Sequence, residues 1–216
     1  MLKQNLNFQK LSQSPVFENT SLVAIVQNDY RRGKNQIAKT YRQAIKQANQ
    51  SIDIAGAYFL PGRRMRNFLR EAASRGVKIR LILPGKSDVW LAAQARAYLY
   101  QWLLKNKIEI YEYQPANVHA KLLLTDGNFI SLGSFDLNNL STYSNIELNL
   151  NINDSNLGEQ IKKVFDDIIK NECRRMTFSD HQHHEKWWGK LTSWISYRLV
   201  KSLFYLSWKM TRISEK

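Results

Sequence analysis

A histidine, a lysine and an aspartate fall close together in His119-Ala120-Lys121-Leu122-Leu123-Leu124-Thr125-Asp126, and six residues after the aspartate comes Gly133-Ser134. Near neutral pH an imidazole serves as nucleophile or acid/base. An ammonium group supplies charge to phosphate oxygens, and a hydroxyl donates one more hydrogen bond. The set suits phosphoryl chemistry and needs no metal or other cofactor. Glu147, further along, is placed to accept from the imidazole, fix its tautomer and leave the other nitrogen free to attack. At ordinary residue frequencies this spacing arises by chance in well under about one chain in a thousand.

The elements that must position these groups are legible around them. His119 opens a strand-like run, 118–125, that closes at Asp126-Gly127, a dipeptide suited to a two-residue hairpin loop. With that loop Thr125 pairs with Asn128, which sets Ser134 opposite His119. Side chains alternate along a strand, so His119 and Lys121 share one face while Leu122 and Leu124 point into a core. The run 145–152 alternates without a break, giving a polar face that carries Asn145, Glu147, Asn149 and Asn151, and an apolar face opposite. The polar face is the one expected to line a site.

Upstream, strand-like runs at 22–26, 51–58, 77–84 and 107–113 alternate with helical patterns near 35–49, 64–75 and 88–105. This βαβαβαβ order predicts an α/β fold with a mixed, largely parallel sheet flanked by helices. Runs at 118–125, 128–134 and 145–152 predict antiparallel neighbours, followed by a helix near 156–171. The division expected is an N-terminal extension (1–19), a catalytic domain (20–172), a polar linker (173–186) and a tail (187–216) of amphipathic helices.

The chain has 216 residues, 44% hydrophobic and 12% aromatic, which excludes a disordered polypeptide. Thirty-two basic against 18 acidic side chains leave a net charge of +14, with a pI near 9.9. Such a charge predicts attraction to a polyanion, either nucleic acid or an anionic membrane. A single cysteine, Cys173, excludes an internal disulfide framework and a multi-cysteine zinc site, and fits a reducing compartment. The opening residues are too polar for a signal peptide, and lysine or arginine interrupts every long apolar window. The expected location is the cytoplasmic side of a membrane, peripherally bound.

At the residues quoted first, the sequence resembles the phospholipase D superfamily, whose motif is H-x-K-x-x-x-x-D with a downstream Gly-Ser and a later glutamate at Glu147. The resemblance covers roughly 20–172. Ala57-Tyr58-Phe59-Leu60-Pro61-Gly62, Ala72-Ala73-Ser74-Arg75-Gly76-Val77, Ile108-Glu109-Ile110-Tyr111-Glu112-Tyr113 and Asn145-Ile146-Glu147 bring it nearest to the C-terminal half of bacterial cardiolipin synthases. The resemblance implies a two-step phosphatidyl transfer through a phosphohistidine, with His119 as nucleophile or general acid and Glu147 orienting a histidine. Lys121, Ser134 and the position of Asp136 hold the phosphate, while Asp126, Gly133, Asn138 and Asn145 are structural members of the motif.

Two positions depart from the family pattern, Asp136 where asparagine is usual and Asn138 where aspartate is common. An ionised Asp136 repels a phosphate. The motif also occurs once, whereas cardiolipin synthases carry it twice; His181, His183 and His184 lack the lysine and aspartate that should follow. One chain therefore holds half a site. A two-fold homodimer, a separately encoded N-terminal half and an inactive remnant are the three ways to read that.

In the tail, Trp187, Trp188, Trp194 and Trp208 lie among Lys190, Arg198, Lys201 and Lys209, with Leu191, Ile195, Leu199 and Leu206 on one helical side. Aromatic and basic residues so arranged suit the headgroup layer of an anionic membrane, so the expected ligand is an anionic phospholipid such as phosphatidylglycerol, ahead of nucleic acid. A helix packed on the domain or at a dimer interface is the other reading. Arg63, Arg64, Arg66 and Arg70 follow Pro61-Gly62 near a helix start, where their charge opposes the macrodipole unless an anion offsets it.

Overall fold

The computed structural model describes residues 21–86, 90–180, 192–203 and 206. Nine strands form one sheet in the order β2-β1-β8-β7-β6-β3-β4-β5-β9. Its centre is β3 (Ser51–Gly56), β4 (Lys78–Pro84) and β5 (Glu109–Tyr113), a parallel trio joined by crossover helices α2 (Arg63–Ser74) and α3 (Trp90–Lys105). On the far side of β3 run β6 (Lys121–Thr125), β7 (Phe129–Gly133), β8 (Ile146–Asn153), β1 (Leu22–Asp29) and the short β2 (Lys34–Asn35), each antiparallel to its neighbour.

The α/β class is as expected, but the sheet is less parallel than the strand-helix alternation implies. Two of its eight strand pairings are parallel and six antiparallel. The reason lies in β1. It pairs along its whole length with β8 and not with β3, so the first strand-helix-strand unit does not close a parallel pair. The segment expected as a linker also begins inside the sheet: β9 (Cys173–Met176) pairs antiparallel with β5. Residues 1–20 and 181–191 lie outside the described residues.

Helices cover both faces of the sheet. On one face α1 (Gln36–Gln47), α2 and α3 enclose the main core, with Ile37, Ala38, Tyr41 and Ile45 of α1 at helical spacing against Ile52, Ile54, Leu81, Leu123 and Phe135. On the other, α5 (Ser155–Glu172) sets Phe165 and Ile168 against Ala55, Ile82 and Tyr111, and Leu157 and Ile161 against Leu122, Leu124, Ile130 and Ile152. The Asp154 side chain caps α5, accepting from the Leu157 N–H at 2.9 Å. Gly158 lets α5 close on the β6–β7 turn, since a Cβ there would stand 1.9 Å from the Gly127 carbonyl oxygen.

A buried ion pair fixes the same helix. Asp53 of β3, fully buried, accepts from Arg80 of β4 at 2.6 and 2.8 Å, and Arg80 also reaches Asp166 of α5. The two carboxylates hold the guanidinium above its already high ordinary pKa despite its burial.

The β6–β7 turn has three residues, not two. Asp126 (φ 52°) and Gly127 (φ 68°) adopt left-handed backbone, and Thr125 pairs with Phe129. Asp126 is held in that conformation from outside the hairpin, because its carboxylate accepts the N–H groups of Asn49, Gln50 and Ser51. The predicted register is thus off by one residue, which exchanges the faces of every paired position on β7.

Candidate active site

The motif residues gather where β6, β7 and β8 end, against the 57–62 segment. Past Gly133 the chain bends out of β7. The bend matters, because in the observed register strict alternation would turn Ser134 away from Lys121. Instead the Ser134 hydroxyl donates to Glu147 Oε2 at 2.5 Å and accepts the Leu148 N–H at 3.1 Å. Gly133 is required there, since a Cβ would stand 2.2 Å from the Leu148 carbonyl oxygen.

Glu147 is buried, and its second oxygen accepts from Asn145 Nδ2 at 3.0 Å. Asn149, two residues on, donates to Ser131 Oγ and accepts the Phe135 N–H, so the polar face of β8 is turned inward and Glu147 and Asn149 make their hydrogen bonds within the fold, while Asn151 Oδ1 is buried without a partner among the described residues. Tyr41 is buried beside these groups, and burial pushes its phenol well above its ordinary pKa despite the Ser131 and Asn149 hydrogen bonds.

Lys121 is 8% exposed, and its ammonium stands 3.4 Å from Asp136 and donates to the His119 carbonyl at 3.1 Å. Asp136 also accepts the Tyr58 N–H at 3.1 Å. Its charge therefore faces a cation and a backbone donor within the protein, and is less free to repel a phosphate than the sequence suggested. Asn138 caps the short helix α4 (Asn139–Tyr143) by accepting the Ser141 N–H at 2.9 Å, and its Nδ2 lies 3.3 Å from the Tyr58 carbonyl. With the Leu60 N–H on the Leu137 carbonyl, the 57–62 segment is stitched to 136–138.

Ser134, Asp136, Asn138, Asn145 and Glu147 open onto one cavity of about 460 Å³, walled by Tyr58, Leu60, Leu91, Val200 and Leu203. His119 does not line it. It stands exposed in the loop before β6, edge-on to Tyr58 with ring centroids 6.5 Å apart. On its own side it borders an apolar groove of about 600 Å³ against α5. The expected pairing of His119 with Glu147 is not made: both Glu147 oxygens are engaged by Ser134 and Asn145, and no described hydrogen bond joins the imidazole to either Glu147 or Ser134. The one-residue register shift and the loop before Lys121 account for the separation.

Sequence reasoning missed two parts of this site. Tyr58 stands between His119 and the cavity, and the only sign of it was the 57–62 stretch noted as family-like. Val200 and Leu203 come from the helix at 192–203, which sequence reasoning set apart as a tail. That helix packs on the domain through Ser193, Ser196, Tyr197 and Val200, with Ser193 Oγ 3.1 Å from Gln94 Oε1 and Tyr197 stacked on Tyr98. It leaves Trp194, Ile195, Leu199 and Leu203 exposed, and Leu206 beyond it is exposed too. Arg198 sits over Trp194, its guanidinium carbon 5.9 Å from the ring centroid. Trp187, Trp188, Lys190, Trp208, Lys209, His181, His183 and His184 lie outside the described residues. No described helix is long and apolar enough to cross a membrane, and among the described residues no cluster of metal-binding side chains occurs.

Residues 41–169 match the family described as cardiolipin synthase, PLD-like domain. The chain belongs to that phospholipase D-like family. Cardiolipin synthase B of Salmonella typhi is 31% identical over 176 residues, which cover 82% of this chain and 42% of that protein. A probable cardiolipin synthase of Bacillus subtilis is 31% identical over 137 residues, 63% of this chain and 27% of that protein. The chain thus spans less than half the length of the curated relatives it matches. Among solved structures, Nuc of Salmonella typhimurium, a phospholipase D family member, superposes with a TM-score of 0.62 at 19% identity, covering 73% of this chain and 99% of Nuc. Phosphatidylserine synthase of Haemophilus influenzae superposes with a TM-score of 0.65 at 13% identity, covering 88% of this chain and 48% of that protein. The phospholipase D-like fold accordingly occurs in these neighbours both as a whole protein and as half of one.

Proposed function

We propose that this chain is one half of a phosphatidyltransferase site of cardiolipin synthase type, completed by a second copy. The observation that carries the reading is the motif cavity, where Ser134, Asp136, Asn138, Asn145 and Glu147 converge, with the Lys121 ammonium paired to Asp136. On this reading a motif histidine, His119 or its copy in the partner, attacks the phosphorus of a phospholipid. A P–N bond forms and the P–O bond to the headgroup alcohol breaks. The second histidine gives its proton to the leaving alcohol, then takes one from the acceptor hydroxyl that attacks the phosphohistidine. Lys121 and Ser134 steady the phosphate oxygens, with Asp136 setting the position of the Lys121 ammonium.

The second copy is supported by the other face of β8. Ile146, Leu148 and Leu150 are exposed there, and Ile25 and Val23 of β1 pair across from Leu150 and Ile152 to extend the same apolar surface. Leu148 bonds through its backbone to Ser134, so this surface adjoins the catalytic cavity. A contiguous apolar surface beside half a site fits a two-fold interface. The chain's location is read as peripheral to a membrane, because the exposed Trp194, Ile195 and Leu199 suit an interfacial helix.

The net charge of +14 and the likeness to Nuc, whose whole length the chain covers, favour one further reading, a homodimeric phosphodiesterase acting on nucleic acid. Lipid mass spectrometry after incubation with phosphatidylglycerol vesicles separates these. Cardiolipin that disappears in His119→Ala establishes transfer, phosphatidic acid establishes hydrolysis, and the absence of any lipid product overturns the lipid reading.

A further inference from the structure

A second cavity, of about 280 Å³, adjoins the first and shares Leu60, Asn138 and Val200 with it. Four cations line it: Arg42 of α1, Arg63 and Arg64 of the first turn of α2, and Lys201 of the C-terminal helix. No aspartate or glutamate lines it, and none of the four has an ion-pair partner among the described residues. Arg42 is half-buried and shares the pocket with Arg64. Its pKa is lowered, first by burial and then by repulsion from Arg64. Like charges drawn from separate elements into one concave pocket are unfavourable without an anion to separate them. The first turn of α2 opens onto the same space. Gly62 caps it without any side-chain hydrogen bond, and no acidic residue occupies that turn, so its N–H groups and dipole add to the field.

We propose that this pocket binds the phosphate of an anionic phospholipid headgroup and so holds a second lipid beside the catalytic cavity. The volume is below the ~300–1,000 Å³ of pockets that take whole drug-sized ligands. It suits a phosphate with a few attached atoms, leaving the acyl chains outside. Tyr143 and Asn139 line the wall and supply neutral donors. The exposed apolar side of helix 192–203 gives the acyl chains a surface next to the pocket, since Val200 and Lys201 of that helix line it while Trp194, Leu199 and Leu203 face out. The identity of the ligand rests on the lipid reading above; the phosphate chemistry rests on the pocket alone.

Binding tests this independently of turnover. The full chain, the double variant Arg42→Gln/Arg64→Gln and the control Lys162→Gln/Lys163→Gln on α5 are compared by co-sedimentation with phosphatidylcholine vesicles, with and without phosphatidylglycerol. Inorganic phosphate is titrated in parallel and followed through the arginine side-chain Nε–H resonances. The expected result is an approximately 30-fold loss of affinity for the anionic vesicles in the Arg42/Arg64 variant, with little change in the control on the opposite layer. Equal losses in both variants would mean diffuse surface attraction and would overturn the proposal. Phosphate binding that needs Arg42 and Arg64, with vesicle affinity unchanged, would keep the phosphate site and reject the lipid as its source. Arginine-dependent vesicle binding without any His119-dependent product would leave this site standing and bring down the catalytic reading instead.

Discussion

Along β8, Glu147 and Asn149 are 7% and 1% exposed, while Ile146 and Leu148 beside them are 60% and 54% exposed. A strand with one covered face ordinarily turns its apolar residues inward. Here the polar side is inside because Ser131, Ser134, Phe135 and Asn145 supply partners for it, so its burial leaves few polar groups unmet. The apolar side has no such partner in the described chain. Further along the same face of the sheet, α5 covers Leu122, Leu124 and Ile130, and there even a carboxylate, Asp53, is buried against Arg80. The difference between the two ends is the reach of α5. Where the helix stops, the sheet keeps a surface that only another molecule or an undescribed segment can cover, and it is the surface beside the motif cavity.

Changing the inward side should act on chemistry. Glu147→Gln keeps a side chain able to meet Ser134 and Asn145 but removes the charge, and should lower turnover by about 10²–10⁴-fold with the melting temperature little changed. A variant that unfolds instead would make Glu147 a structural group. At the covered end of the other face, Asp53→Ala leaves Arg80 with Asp166 alone and should cost about 3–5 kcal/mol in denaturant unfolding. A loss under about 1 kcal/mol would show that Asp166 suffices.

At the open end, Leu148→Lys with Ile25→Lys should convert dimer to monomer in sedimentation and reduce turnover in step, while the isolated fold keeps its stability. Monomer in the unaltered protein at working concentration would break the comparison at this point. A smaller effect is expected from Asp136→Asn, which frees the Lys121 ammonium and should tighten phosphate binding by about three- to tenfold in a calorimetric titration. Weaker binding would show that the Asp136 contact is needed to place the lysine. The least effect concerns Cys173, whose thiol is pushed up to about 11 by burial and by the nearby Glu172 charge. Its alkylation should be slow near neutral pH and should accelerate only as the pH approaches that value.

The strands and helices flanking the motif were legible from periodicity, because each buries a face at period 2 or 3.6 that its own residues encode. The missed elements are short and depend on distant contacts. The strand at 173–176 exists because β5 offers it an edge, and α4 because Asn138 bends toward Tyr58 and caps it. The hairpin register was misjudged because Asp126 answers to the N–H groups of residues 49–51, far away in the chain.

By itself the sequence determined the chemical repertoire: one histidine, one lysine, one serine and one glutamate at a spacing specific enough to name a family, and a net positive charge that calls for an anionic partner. Tertiary structure alone decided where those groups meet. It set Ser134 and Glu147 together and His119 apart, turned the polar side of β8 inward, made the tail helix a wall of the site, and brought Arg42, Arg63, Arg64 and Lys201 to one pocket. Residue type and local spacing carry chemistry and periodicity, whereas burial and pairing depend on which distant segments the sheet order makes neighbours.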